Sequence, residues 1–257
     1  MSTLRMPAIF IGHGNPMNAI QDTRFSREWE ELTTALPKPR FILCISAHWE
    51  TKGTKVTYSA SPRTIHDFGG FPRELFEVEY PAPGSPTLAD MVMAQYPDQV
   101  VQPDHCWGLD HGCWSVVRRI YPEAVIPVVQ LSIDYNLSLK EHFKLAGSLV
   151  ALREKGVLII GSGNIVHNLR LAQWGSDQVY DWARDFDGTV RQRIEEHRFT
   201  DLLELDHIAG SSLAVPTPEH FIPILYTLAL YKDEEIKFFN EGFELSTISM
   251  TSLVLKG

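Results

Sequence analysis

The sequence predicts an α/β fold, a three-layer α/β/α arrangement with a mainly parallel or mixed central sheet. Three observations support this prediction: short apolar runs recur along the 257-residue chain, amphipathic segments separate them, and small-residue turns follow them. Strands that alternate with helices are typical of a sheet covered by helices on both faces. The sequence has no internal repeat and no linker-like stretch, so we expect residues 1–257 to form a single domain.

The predicted strands are continuous apolar runs, and such runs indicate strands that are buried on both faces. They are Ala8 to Ile11, Phe41 to Ile45, Ile126 to Leu131 and Val157 to Ile160. The segment from Thr247 to Leu255 alternates apolar and polar residues and predicts a further strand.

The predicted helices lie between these runs. Ser26 is placed to cap a helix from Arg27 to Leu36, and Ser85-Pro86 opens one towards Gln95. The remaining predicted helices are Leu139 to Lys155, which Gly156 can end, Val179 to His197, and Glu219 to Tyr231, which Pro218 opens.

The charge balance excludes some classes of partner. The chain carries 23 lysines and arginines against 32 aspartates and glutamates, a formal net charge of −9. No basic cluster interrupts this balance, so we expect no nucleic-acid partner. The acidic balance disfavours an anionic membrane, and no apolar run is long enough to span one. The run that begins at Ala8 is too short for a signal-peptide core, so we expect a cytoplasmic protein.

The three cysteines form an odd and sparse set that suits a reducing compartment better than a disulfide framework. Cys106 and Cys113 lack the CxxC spacing of a zinc ribbon, and we do not expect them to be ligands. Cys44 lies inside a predicted strand, which indicates a core residue rather than a nucleophile. The sequence also lacks a Gly-x-Ser-x-Gly motif, so a serine-hydrolase triad is unsupported.

The histidines carry the central prediction. His13, His48 and His167 each lie in a small-residue turn at or shortly after the end of an apolar run. Ligands of open parallel sheets bind at the carboxyl ends of the strands, where side chains distant in sequence converge. One histidine in such a place is commonly structural, but three at equivalent places indicate a metal site.

Glycines accompany these histidines and permit tight turns and close approach of other groups. They occur in Gly12-His13-Gly14 and in Gly161-Ser162-Gly163, which precedes His167. A phosphate cradle is the alternative for the second motif. However, Val166 stands at the third position of a dinucleotide fingerprint and no Walker lysine follows, so we do not expect nucleotide binding.

Three further histidines are candidates. His220 follows Glu219 at a predicted helix start; such a pair is ordinarily a surface cap, but beside three converging histidines it becomes a candidate metal ligand. His111, near glycines, an acid and two tryptophans, suits a positioned acid/base group or, equally, a buried structural histidine. The same alternatives apply to His66. The other four are expected to be solvated: His105, His142, His197 and His207.

These segments together resemble the DOPA 4,5-dioxygenase extradiol family, part of the class III extradiol ring-cleavage dioxygenase superfamily. The resemblance extends from Met6 to the C-terminus and is close to the bacterial member. Seven motifs carry it in order: Gly12-His13-Gly14, Ser46-Ala47-His48-Trp49, Ile65-His66-Asp67-Phe68-Gly69-Gly70-Phe71-Pro72, Tyr80-Pro81-Ala82-Pro83-Gly84, Gly108-Leu109-Asp110-His111-Gly112, Gly163-Asn164-Ile165-Val166-His167-Asn168-Leu169 and Pro216-Thr217-Pro218-Glu219-His220.

The resemblance implies a catalytic α/β domain that opens catechol rings with molecular oxygen at non-haem Fe(II). Because bacterial members are also associated with zinc, it implies one divalent metal per chain, zinc as bound or Fe(II) for dioxygenase activity. Carried over by motif, the ligands of the zinc form are His13, His48, His167 and His220.

The superfamily pattern offers a second ligand set of two histidines and a carboxylate. In that version Glu219 replaces His220 as a ligand, and His167 becomes a base. Adjacent helical residues point about 100° apart, so one of Glu219 and His220 is expected to dominate. We expect His220 in the zinc form and keep Glu219 as the alternative for iron.

The resemblance also suggests catalytic roles. Histidine has an unperturbed pKa of about 6.5, which suits proton transfer, and we assign that work to His111, helped by His167 where it is not a ligand. Trp49 and Phe68 are candidates for contact with the substrate ring, or for the core. The expected partners are a small catechol such as DOPA and O2, with the chain a monomer or small homo-oligomer. The alternatives are a zinc-dependent non-redox hydrolase and a metal-binding interaction protein on the same scaffold.

Overall fold

The computed structural model describes residues 5–97, 100–176 and 178–257. Within these residues the chain forms an eight-stranded sheet and a separate two-stranded sheet. The strands are β1 (Ala8–Gly12), β2 (Phe41–Thr51), β3 (Thr54–Thr57), β4 (Val101–Asp104), β5 (Val128–Asp134), β6 (Val157–Gly163), β7 (Ile236–Phe239), β8 (Phe243–Glu244), β9 (Ile248–Ser249) and β10 (Ser252–Leu255).

The helices vary from one turn to four. Those in the described ranges are α1 (Arg24–Ala35), α2 (Arg73–Phe76), α3 (Pro86–Met93), α4 (His111–Ile120), α5 (Leu139–Gly147), α6 (Val150–Arg153), α7 (Asp181–Glu195), α8 (Ser211–Ala214) and α9 (Ile222–Leu228). Short 3-10 helices occur at Pro16–Ala19, Leu169–Leu171, Phe199–Leu203 and Leu205–His207. Among the described residues, every helix is too short or too polar to span a bilayer.

The large sheet is mixed, with the strand order β4-β3-β5-β2-β6-β1-β10-β7. The four neighbours β5, β2, β6 and β1 are parallel, whereas β10 and β7 pair antiparallel at one side and β3 pairs antiparallel with β5. The carboxyl ends of β1, β2 and β6 therefore meet at one edge of the sheet, as the sequence predicted.

Both faces of the central strands are buried, because successive side chains point to opposite faces of a sheet. In β1, Ala8 and Phe10 join one apolar core, and Ile9 and Ile11 join the other. Residues of α3, α5, α7 and α9 complete the first core, and residues of α1 and α4 complete the second. The predicted three-layer α/β/α class is confirmed. Cys44 is fully buried in the second core, as expected.

The start of α1 differs from the prediction. Thr23, not Ser26, is the N-cap: its hydroxyl accepts a hydrogen bond from the Ser26 amide, and the Ser26 hydroxyl accepts one from the Thr23 amide. This reciprocal pair is a capping box, which satisfies two amide groups that have no partner within the helix. The helix therefore begins at Arg24 instead of Arg27.

Three other predicted elements are shorter than expected. The predicted helix from Leu139 to Lys155 is divided into α5 and α6, with 3-10-type hydrogen bonds between them. The predicted helix from Glu219 is regular only over α9, because Pro223 has no amide hydrogen to bond the carbonyl of Glu219. The predicted strand from Thr247 to Leu255 consists of β9 and β10, which are separated by two residues.

Candidate metal centre and active site

Two of the predicted histidines are placed by β1 and β2, the strands on either side of β6 in the sheet. His13 directly follows β1, and its backbone amide donates to the carbonyl of Gly163 at the end of β6. His48 lies inside β2 rather than in a turn after it, because the strand continues to Thr51. The pairing of β2 with β5 shifts register between Ile45 and Glu50. Such irregularities re-aim side chains, and this one lies where β2 presents His48.

His220 is brought to the same edge by the loop before α9. Its carbonyl accepts a hydrogen bond from the Asn164 amide at 2.8 Å, just beyond β6. A Cβ atom at Gly163 would lie 2.2 Å from that carbonyl oxygen. Glycine is therefore required at position 163 for the loop to pass this close to the strand end.

The imidazoles of His13, His48 and His220 converge. The Nε2 atoms of His13 and His48 are 3.1 Å apart, and the ring centroid of His220 lies 5.4 Å from that of His13 and 5.0 Å from that of His48. One ring nitrogen of each residue lies within 4.8 Å of the other two. This spacing allows one ion to contact all three side chains.

His167 lies beside this cluster. Its ring stacks on that of His220, with centroids 3.5 Å apart and planes 8° from parallel. Its ligand atom forms a separate group with those of Glu219 and His220, again within 4.8 Å of one another. The structure thus brings all four predicted ligands together, with His13, His48 and His220 sharing one group and His167 at its side.

Hydrogen bonds determine which ring nitrogen of His13 and of His220 is left with a lone pair for a metal ion. The Ser162 hydroxyl donates to the carbonyl of Gly112, so its oxygen is left to accept from Nδ1 of His13 at 3.1 Å. Glu219 accepts from Nδ1 of His220 at 2.9 Å. In both residues Nε2 then carries the lone pair. The buried Nε2 of His220 has no hydrogen-bond partner in the described part of the chain. Facing lone pairs and an unpartnered buried nitrogen fit a divalent cation.

The electrostatics keep these imidazoles neutral. Burial lowers the pKa of His13 and His48 well below the usual value, and the charges of the other histidines lower it further. Burial and His220 lower the pKa of His167 to about 2. Burial also lowers the pKa of His220, although Glu219 opposes this shift. Neutral imidazole is the form that binds a metal.

His111 lies across from this cluster at the first position of α4. Its backbone amide and its Nδ1 donate to the two carboxylate oxygens of Asp67, at 2.8 and 2.9 Å. The same carboxylate lies 3.4 Å from Nδ1 of His48. Burial alone would raise the pKa of Asp67, but the hydrogen bonds from His111 lower it. Asp67 therefore remains a carboxylate, and it fixes the orientation of the His111 ring through Nδ1.

Asp110 fixes the start of α4, where His111 lies. It is fully buried, caps α4 by accepting the Cys113 amide, and accepts the Ser46 hydroxyl at 2.6 Å. A Cβ atom at Gly112 would meet Ser46 at 2.4 Å, so the start of α4 is tightly packed on β2. This packing holds His111 and His48 with their ring centroids 3.9 Å apart.

Sequence reasoning missed the roles of Asp67, Ser162 and Glu219 as hydrogen-bond partners of the site histidines. Within its motif it selected His66 instead of Asp67. The His66 ring lies 3.0 Å from the carbonyl of Val78, packs against Trp114 and does not line the cavity beside the cluster. His66 is therefore structural.

The cluster opens into a cavity of about 360 Å³. This volume lies in the range of small-molecule sites, roughly 300–1,000 Å³. Phe68 lines the cavity, as one alternative predicted. Trp49 does not line it: its side chain is buried and stacks on Trp107, with ring centroids 5.6 Å apart. Two larger clefts of the described surface contain none of the site histidines.

One prediction about the remaining histidines is wrong. His142 is fully buried, and its Nδ1 lies 3.1 Å from the hydroxyl of Tyr226. The other three are exposed, as expected: His105, His197 and His207. His142 lies one helical turn before the buried Ala146, so α5 turns it into the core.

The chain shares this architecture with known proteins. Residues 7–256 match the family described as the catalytic LigB subunit of aromatic ring-opening dioxygenase. The chain is 45% identical to the 4,5-DOPA dioxygenase extradiol of Escherichia coli strain K12, over 98% of this chain and 96% of that protein. It is 40% identical to the Beta vulgaris protein of the same name, over 84% of this chain and 83% of that one.

A solved structure agrees with these matches. The crystal structure of an uncharacterized protein from Escherichia coli K12 superposes with a TM-score of 0.84 and 40% sequence identity, over 98% of this chain and all of that one. Family match, sequence identity and fold lead to the same conclusion. The chain belongs to the LigB family of aromatic ring-opening dioxygenases and is an enzyme of the extradiol type.

Proposed function

We propose that the enzyme opens a catechol ring, such as that of DOPA, beside its hydroxyl groups, using O2 and one divalent metal ion per chain. The observation that carries this proposal is the convergence of His13, His48 and His220, all three of which line the cavity. The names of the two relatives support a catechol as the substrate class.

The same three histidines would hold the metal, since three nitrogen ligands leave further positions open for a substrate. We propose Fe(II) for ring opening and zinc as a bound but inactive alternative. When bound, Fe(II) supplies the redox chemistry that joins a catechol and O2, and zinc has no such chemistry.

His167 has two proposed roles, which depend on the metal. In the four-histidine set of the zinc form it is a fourth ligand. In the iron form it stays beside His220 and handles a proton at the substrate. The second role is supported by its grouping with Glu219 and His220 rather than with His13 and His48. In both forms Glu219 orients His220 through Nδ1 instead of replacing it.

His111 is the proposed proton acceptor for the catechol hydroxyl. Asp67 binds its Nδ1 and thereby leaves Nε2 available to take that proton and to return it later. Phe68 packs edge-on against His111, with ring centroids 5.4 Å apart, and offers an apolar contact for the substrate ring. The apolar ring of Phe68 also limits the access of water to the reacting groups.

We propose that residues 1–257 act as a single catalytic domain. The pairing of β1 with β10 supports this, because it joins the first and last strands of the described chain in one sheet. Cys106 is exposed and unpaired, which supports a reducing, cytoplasmic location. A monomer or small homo-oligomer and a small-molecule substrate without nucleic-acid or membrane partners complete the proposal.

The test is to remove the metal, reload the protein with Fe(II) under anaerobic conditions, and add DOPA or plain catechol with oxygen. Oxygen uptake together with a yellow semialdehyde product is expected for the iron form, and neither is expected for the zinc form. Activity restored only by zinc would favour a non-redox hydrolase. Metal binding with no activity under either metal would favour an interaction protein.

A further inference from the structure

We infer that the cavity selects catechols whose ring substituent is apolar and uncharged over catechols whose substituent ends in a carboxylate. This inference rests on the proposed function and narrows its substrate class. It follows from the walls of the cavity between the histidine cluster and solvent.

The outer wall of the cavity is apolar. Phe71, Leu169, Trp174 and Leu245 line it together with Phe68. Trp174 is 67% exposed and Leu169 is 61% exposed, and grouped apolar side chains that remain exposed commonly mark ligand-binding grooves. The rings of Phe71 and Trp174 contact each other edge to face, with centroids 6.4 Å apart. An apolar substituent that extends from the ring towards solvent would cover these side chains.

The described lining of the cavity offers a carboxylate no cationic side chain as a fixed partner. Of the described residues that line it, none is a lysine or an arginine. Its one acidic lining residue, Asp67, is already hydrogen-bonded to His111, and its negative charge would repel a second carboxylate. A carboxylate held against this wall would lose part of its hydration without gaining a charged partner, which is costly.

Two arginines of a neighbouring cleft are already engaged in other contacts. A neighbouring cleft shares Asn15 and Leu245 with the cavity and contains several arginines. Arg24 donates to the carbonyl of Glu241, and Arg191 pairs with the Glu241 carboxylate at 2.6 Å. A carboxylate on the substrate would have to displace these contacts to gain a partner there.

The experiment uses two catechols of the same shape and different charge: 4-(3-methylbutyl)catechol and 3-(3,4-dihydroxyphenyl)propanoate. The iron-loaded enzyme is expected to show a kcat/KM about tenfold higher for the alkyl compound, mainly through a lower KM, since a few buried methylene groups account for that factor. DOPA, which carries both a carboxylate and an ammonium group, is expected to rank between them. An equal or higher kcat/KM for the propanoate would overturn the inference.

Variants at Trp174 test whether the outer wall of the cavity causes the preference for the alkyl compound. Trp174→Ala is expected to lower kcat/KM for the alkyl compound about fivefold more than kcat/KM for unsubstituted catechol. Trp174→Arg is expected to raise kcat/KM for the propanoate. Tyr135→Ala, a change at an aromatic residue that is 58% exposed and does not line the cavity, is the matched control and should change neither value. Equal losses for catechol and alkylcatechol in Trp174→Ala would assign Trp174 a structural role and overturn its part in selection.

Anaerobic binding of both compounds to the metal-loaded protein separates the two proposals. Tighter binding of the alkyl compound without any turnover would support the inference and contradict the proposed function. Turnover of catechol combined with preferred binding of the propanoate would support the proposed function and contradict the inference.

Discussion

His220 and His142 are both buried histidines, yet their surroundings differ. His220 is 6% exposed and contacts the rings of three other histidines: His13, His48 and His167. His142 is fully buried, and among the described residues the one aromatic ring recorded in contact with its own is that of Tyr226. His220 lies at the edge of the sheet where the parallel strands end, whereas His142 lies in the packed layer of α5 and α9.

This difference shows that burial alone does not identify a functional histidine. Burial lowers the pKa of both residues, and in both a nearby carboxylate opposes the shift, Glu219 beside His220 and Asp134 beside His142. What separates them is the number of other nitrogen atoms within reach. A metal site needs several ligands around one point, and only His220 has them.

The largest expected effect is the loss of the metal in His220→Ala. Removing one of three converging ligands should reduce metal content to background and activity by at least about a thousandfold, since second-shell changes alone cost about 10–100-fold. Metal content by elemental analysis and oxygen uptake with catechol measure both effects.

The matched control is His142→Ala, which should keep its metal and most of its activity. It should instead lower the free energy of unfolding by about 2–4 kcal/mol, because it leaves a cavity and removes the partner of Tyr226. Loss of metal in His142→Ala with retention in His220→Ala would reverse the comparison.

A second prediction separates proton transfer from metal binding within the cluster. His111→Ala should lower kcat by about 10²–10⁴-fold while metal content stays close to that of the wild type. The reason is that His111 is held by Asp67 rather than by the three converging nitrogens. If this variant loses its metal, His111 is a ligand and its proposed role is wrong.

A third, smaller effect tests whether Glu219 or its neighbour His220 is the metal ligand. Glu219→Gln keeps an oxygen that can accept from His220, so we expect metal affinity to fall less than about tenfold. Glu219→Ala removes the acceptor and should weaken binding by about 10–100-fold. If Glu219 were itself a ligand, both substitutions would empty the site as completely as His220→Ala, and metal titration distinguishes these results.

The sequence predicted the site better where strands end than where helices pack. The apolar runs before His13 and His167 located the carboxyl ends of β1 and β6, and parallel pairing made convergence there a consequence of the fold. The sequence predicts a solvated His142 from its polar, helical context. The spacing to Ala146 carried the correct signal, since residues four apart share one face of a helix.

Contacts between segments that are distant in the chain could not be predicted from the sequence. Asp67 and His111 are 44 residues apart, and no local pattern indicates that they pair. The same holds for Ser162, whose hydroxyl fixes the ring of His13 across two strands. The register shift that directs His48 from inside β2 arises from pairing with β5, which periodicity within one segment does not report. These details depend on tertiary packing.

The last prediction extends the comparison to acid stability of the metal-stripped protein. The pKa values of His13, His48 and His142 are all lowered in the folded state from a usual value of 6.5. Such groups are neutral in both states at higher pH. Below 6.5 the unfolded chain takes up protons that the folded chain does not, so the free energy of unfolding falls with acidification, by up to about 1.4 kcal/mol per pH unit for each group.

Denaturant unfolding between about pH 7.5 and 5.5 measures this slope in the wild type and two variants. His142→Ala should remove the contribution of one group, and a double change of His13 and His48 to Ala should remove about twice as much. Comparing variants cancels the buried carboxylates with raised pKa, such as Asp110, because they are present in all three proteins and act in the opposite direction. Equal slopes in the three proteins would mean that the cluster binds protons as readily as the unfolded chain, and the neutral, metal-ready state assigned to it would then be wrong.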